Sequence, residues 1–149
     1  SRNVPNRFNV RREYWKQLLP LIVDTDLFSN VNPTKDHWLN SGAGISGLAY
    51  TFVITGKYVR IELGITSSSK EQNKKYFKKL LSNKVTIENS FGNKLVWEEL
   101  ENYKMSRIKY EFTDVNLFDK ADWDKMNQFL VTFLPKFEKA LQPAIKKLK

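Results

Sequence analysis

Between Leu48 and Ile65 the chain alternates apolar and other residues with a period of two, and only an extended backbone satisfies that pattern. Leu48, Tyr50, Phe52 and Ile54 fall on one side, against Ala49, Thr51 and Val53. After Thr55 and Gly56 the alternation resumes with Val59, Ile61, Leu63 and Ile65. Two such runs around a short turn predict a β-hairpin. The second run carries Tyr58, Arg60 and Glu62 on its other side, so one side of the sheet is expected to be packed and the other polar or partly covered.

Residues 95–99 and 107–112 read as two further strands, the second burying Ile108, Tyr110 and Phe112 and displaying Arg107, Lys109 and Glu111. Helical spacing appears elsewhere. Tyr14, Trp15, Leu18, Leu19 and Ile22 predict a helix over 11–23, with Asn9 as cap and Pro20 ending or bending it. Ser67, Ser68 and Ser69 offer a cap for a helix through about Leu81. Its arc of Tyr76, Phe77, Leu80 and Leu81 opposes Lys70, Lys74, Lys75, Lys78 and Lys79. A shorter helix over 83–91 closes on Gly92. From Lys120, the series Trp123, Met126, Leu130, Phe133, Phe137, Leu141 and Leu148 predicts a long helix, kinked near Pro135 and Pro143, that covers the apolar side of the sheet. Residues 24–47 read as a long connection with a short helix around 34–39. The expected fold is α+β: a mostly antiparallel sheet of about four strands packed against an N-terminal helix and a long kinked C-terminal helix.

A chain of 149 residues, 41% of them hydrophobic, forms one domain and buries roughly two thirds of its unfolded surface without metal or disulfide staples. The absence of cysteine excludes a disulfide scaffold, a zinc ribbon, an iron-sulfur site and a thiol nucleophile. A lone His37 excludes multi-histidine metal sites. No metal or other cofactor is expected. The longest apolar runs, 18–23 and 48–54, fall short of the roughly 20 residues of a membrane span. With no signal-like start, the expected location is the cytoplasm. Ser1 stands where an initiator Met would, which fits an excised domain of a longer polypeptide.

The formal charge is +9, and three segments hold the excess. Residues 1–16, with Arg2, Arg7, Arg11, Arg12 and Lys16, carry +4; residues 70–84 carry +5; residues 139–149 carry +4. The remainder is net −4, so a polarised surface suited to a polyanion is expected. Lys70, Lys74, Lys75, Lys78 and Lys79 are the candidate phosphate contacts, and Arg60, Arg107 and Lys109 on the polar sheet side stand second.

Gly42, Gly44 and Gly47 spell the dinucleotide-binding spacing, but that fingerprint follows a strand and opens a helix, whereas here a strand follows. A tight turn is the better reading. Glu62 lies on a strand as a metal-dependent nuclease would want, yet Gly64 stands where that motif needs lysine, and Lys109 and Glu111 come in reverse order. Glu98 and Glu99 are adjacent on a strand and point apart. Ser46 misses the serine-hydrolase elbow by one position, and His37 has no serine partner. No complete catalytic motif is present, and no catalytic residue is assigned.

Taken in order, Tyr14-Trp15 with Leu18-Leu19, Trp38-Leu39 before the glycine loop, Val59 to Leu63 and the phrase from Ile87-Glu88-Asn89 through Phe91-Gly92 and Trp97-Glu98 to Leu100 resemble the bacterial family called domain of unknown function 4268. The resemblance covers nearly the whole chain. Members of that family often sit C-terminal to a nuclease-like domain in restriction or DNA-repair settings, so it implies an accessory DNA-associated role, an N-terminal nuclease partner domain and no catalytic residues. The expected function is therefore a non-catalytic nucleic-acid-associated module of a restriction or nuclease-type protein. The alternatives are a protein-interaction or dimerisation domain, docking through Trp97, Tyr103 or the last helix as a homo-oligomer, and a divergent Mg-dependent nuclease using Glu62 with Glu88 or Glu111.

Overall fold

The computed structural model describes residues 6–149, so Arg2 of the N-terminal basic segment lies outside the described residues. Helix α1 spans Arg7–Leu18 and gives way to a 3-10 turn over Leu19–Leu21 at Pro20. Strands β1 (Trp38–Gly42), β2 (Leu48–Ile54) and β3 (Tyr58–Ile65) follow, then helices α2 (Lys70–Leu81) and α3 (Lys84–Phe91). Strands β4 (Val96–Glu98) and β5 (Ser106–Thr113) complete the sheet, and α4 (Trp123–Lys146) closes the chain after a 3-10 turn at Lys120–Asp122. Strand order is β1-β2-β3-β5-β4, with every neighbouring pair antiparallel.

Register aligns Leu39, Phe52, Ile61 and Tyr110 across four strands, and Tyr50, Leu63, Ile108 and Trp97 in the next apolar row. Each helix meets the sheet on that face through an aromatic pair. Trp15 of α1 stacks on Phe52, Phe77 of α2 meets Trp97 edge-on, Phe91 of α3 meets Tyr110, and Phe137 of α4 meets Tyr50. Such contacts orient the helices beyond what area burial requires, since ring pairs favour edge or offset geometry. Met126, Leu130, Leu134, Phe137, Leu141 and Ile145 are buried at three- and four-residue steps along α4, each adding about 1.5–3 kcal/mol. Helix α4 continues through both Pro135 and Pro143.

Three expectations are corrected. The sheet has five strands, because Trp38–Gly42 within the expected connection pairs with β2, and no helix forms at 34–39. As an edge strand with only Leu39 buried, β1 lacks the alternation that marks β2. The first helix begins at Arg7 and is capped by Asn6, whose side chain accepts from the Phe8 and Asn9 amides at 2.9 and 3.3 Å. Residues 22 and 23 fall beyond it. The glycine loop is the turn between β1 and β2: Gly44 and Gly47 sit at φ +91° and +90°, and a Cβ on Gly47 would lie 2.7 Å from Ser67 Cβ.

Tyr14 of α1 is fully buried, edge-on to Trp123 at 5.3 Å, and its hydroxyl has no hydrogen-bond partner among the described residues. Burial pushes the phenol above its ordinary range. A buried hydroxyl without a partner costs about 1–3 kcal/mol. Tyr14→Phe is therefore expected to leave stability unchanged or raise it by about 1 kcal/mol. Urea denaturation checks this, and a loss of stability would mean that the hydroxyl has a partner.

Candidate nucleic-acid interface

The orientation of α2 follows from three buried residues. Ser69 caps the helix by accepting from the Gln72 amide, and Phe77 and Leu80 anchor its inner side. Asn73, also fully buried, donates to the Ser67 and Lys104 carbonyls at 3.0 Å and accepts from the Ser67 amide and hydroxyl. With that side fixed, Lys70, Lys75, Lys78 and Lys79 project into solvent, and Lys84 continues the charge onto α3. A shallow groove of about 530 Å³ runs along the helix between Glu71 and Ser82. Among the described residues the one ion pair these lysines make is Lys78 with Glu99 at 4.0 Å.

Lys74 departs from the expected set. Its ammonium donates to the carbonyls of Glu99, Leu100 and Met105 at 2.5, 2.9 and 2.7 Å and contacts Ser106 Oγ at 2.9 Å. Burial and the neighbouring Lys70 push its pKa down, while the oxygen cage requires the donors of the charged form. The group clasps the turn between β4 and β5 and has no donor left for a phosphate.

The second-rank cations are also committed elsewhere. Arg60, Arg107 and Lys109 lie on the sheet face opposite the helices, where register sets Arg60 against Glu111, Glu62 against Lys109 and Arg107 against Glu98. Arg60 Nε donates to Glu111 at 2.6 Å and its Nη1 to Glu62 at 3.1 Å. Arg107 Nε donates to Glu98 at 2.6 Å. Lys109 bridges Glu98 and Glu111 at 3.2 and 3.4 Å. Three cations and three carboxylates thus form a network with no net charge. Burial pushes the Glu98 carboxyl up, but the hydrogen bonds from Arg107 and Lys109 outweigh it and hold the group below its ordinary value. This face and the α2 lysines lie on opposite sides of the sheet.

The remaining acids and aromatics have structural roles. Glu88 accepts from the Leu95 amide at 2.8 Å and the Trp97 indole at 3.1 Å on the helix side of the sheet, away from Glu62. Trp97 is accordingly packed, whereas Tyr103 is 64% exposed. Among the described residues no group of three His, Cys, Asp or Glu side chains could hold a metal ion, and no helix is long and apolar enough to cross a membrane.

The contrast between adjacent lysines is testable. Lys74→Met strips the ammonium's hydrogen bonds from the turn, leaving the Glu99 carbonyl only the Ser106 hydroxyl and the Leu100 carbonyl only the Tyr103 amide, and is expected to lower stability by about 2 kcal/mol, whereas Lys75→Met stays within about 0.5 kcal/mol. Denaturant midpoints compare the two, and equal values would contradict the clasp. For Glu98 the folded pKa lies below the ordinary 4.5, so its stabilisation is present above pH 4.5 and disappears as pH falls through the folded value. Glu98→Gln is expected to be less stable at pH 7 and to lose less on acidification below pH 4.5 than the parent, as read by thermal melts across that range.

No curated protein and no solved structure matches the chain. The family model described as Domain of unknown function (DUF4268) matches residues 10–145, a span that runs from within α1 almost to the end of α4, and the chain belongs to that family.

Proposed function

We propose that the domain is a non-catalytic, nucleic-acid-associated accessory module that holds a phosphate backbone along the outer side of α2. The observation that carries this reading is the run of exposed lysines 70, 75, 78 and 79 on one 12-residue helix, extended by Lys84, in which a single ion pair, Lys78 with Glu99 at 4.0 Å, forms among the described residues. Ammonium groups on a rigid helix attract a polyanion and release its counterions on contact. Such contacts position a nucleic acid without reading its bases. Lys74, Arg60, Arg107 and Lys109 belong to the scaffold in this reading. The setting it suits is a bacterial restriction or nuclease-type protein of the cytoplasm, with cutting chemistry supplied by an N-terminal nuclease domain. Glu62 and Glu111 do not supply it, since both are bound to Arg60.

A second reading, a protein-docking or dimerisation domain, draws support from β5. Strand β4 pairs only with Arg107 to Lys109, so among the described residues the edge from Tyr110 to Thr113 has no strand partner, and it lies beside a groove lined by Phe112, Phe129 and Phe133. Open edges invite strand addition.

A gel-shift titration with duplex DNA separates the two. Wild type is expected to bind at low salt with a log–log salt slope of about −3, each phosphate contributing roughly 0.9, and Lys75→Ala/Lys78→Ala/Lys79→Ala is expected to remove most of that slope. A tight dimer indifferent to polyanions, or binding unchanged in the triple variant, would favour docking instead.

A further inference from the structure

The end of the sheet away from α2 gathers charge and aromatic surface from separate parts of the chain. It lies at the start of β3, whereas α2 follows the end of that strand, and an eight-residue strand sets the two about 23 Å apart. Phe8, in the first turn of α1, is 40% exposed, and the charges of Arg7, Lys35 and Arg11 stand 5.1, 5.6 and 5.9 Å from its ring centroid. Three cations share one ring, and among the described residues none of the three has a carboxylate within 4.0 Å. Arg11 links this cluster to a pocket of about 190 Å³ lined by Arg11, His37, Ile54, Thr55, Gly56 and Phe118. The Arg11 Nη1 donates to the Lys35 carbonyl at 3.5 Å, and its Nε is buried without a hydrogen-bond partner among the described residues. Phe118 is 40% exposed, and a Cβ on Gly56 would lie 3.6 Å from its ring, so the missing side chain at 56 keeps the slot open.

The geometry points to a site for an unpaired nucleotide of a single-stranded nucleic acid, its base held in the slot beside Phe118 and its phosphates met by Arg7, Arg11 and Lys35. The inference rests on the nucleic-acid reading above and adds the element that α2 lacks. Lysines alone hold any polyanion, whereas exposed rings interleaved with guanidinium groups select bases that are free to leave a stack. The slot has room for roughly six water molecules, which suits one planar heterocycle and excludes a folded partner. A duplex keeps its bases inside and reaches only the cations.

Fluorescence anisotropy at low salt, with a labelled single strand of mixed sequence and the matching blunt duplex, tests the site. Phe8→Ala/Phe118→Ala is expected to weaken single-strand binding about tenfold and duplex binding less than twofold. Gly56→Leu, which fills the slot and leaves every charge in place, is expected to act in the same direction. Equal weakening of both ligands, or no change in either variant, would overturn the site. If that happens while Lys75→Ala/Lys78→Ala/Lys79→Ala still weakens binding, the α2 reading stands alone. If the aromatic variants act and the lysine variant does not, the site stands and the α2 reading falls. Absence of binding to both ligands removes both. Release of the strand by adenosine monophosphate as effectively as by unlabelled strand would overturn the strand in favour of a free nucleotide.

Discussion

The molecule depends on the unequal treatment of the two sides of β3. Val59, Ile61, Leu63 and Ile65 are fully buried on one side, where α2 and α4 pack, while Arg60 and Glu62 on the other are closed over by charged neighbours from β5. One strand with a period of two thus sets both the core and a wall of ion pairs. Opposite charges directly across an antiparallel pair attract, and each isolated pair contributes modestly, so the wall matters more for register than for net stability. A one-residue slip would move charges into the core and valine and isoleucine into water.

Charge in this chain serves two ends that composition cannot separate. Lys74 and Lys75 are neighbours on one helix. The first spends its donors on the carbonyls of a distant turn, and the second points into solvent. Likewise Arg11 of α1 keeps its Nε without a partner among the described residues, whereas Arg60 and Arg107 face carboxylates. The free positive surface is therefore smaller than 25 basic residues imply.

Much of the architecture was legible in the sequence because its strongest signals are periodic. The alternation of β2 and β3, the arc of α2, the left-handed Gly92 after α3 and the apolar series of α4 each gave their element. Strand β1 was not, since only Leu39 of its five residues is buried and the rest read as a loop. The site was less legible for a related reason. Alternating charges on β3 and β5 are visible in order, but whether they reach a ligand or each other depends on register between residues about 50 positions apart, as Arg60 and Glu111 are. The partners of Lys74 are main-chain carbonyls, which leave no mark in composition. The pocket near Phe118 unites α1, the start of β1, the β2–β3 turn and the segment after β5, and no local pattern joins them.

The clasp of Lys74 also shapes how the fold comes apart. Its acceptors flank the β4–β5 turn 25 to 32 residues further along the chain, and Asn73 beside it holds Lys104. Helix α2 cannot peel from the sheet without releasing that turn, and the turn cannot fray without stripping donors from the helix. Two segments remote in sequence therefore form one cooperative unit of partial unfolding, with amide protons that exchange together at a shared free energy.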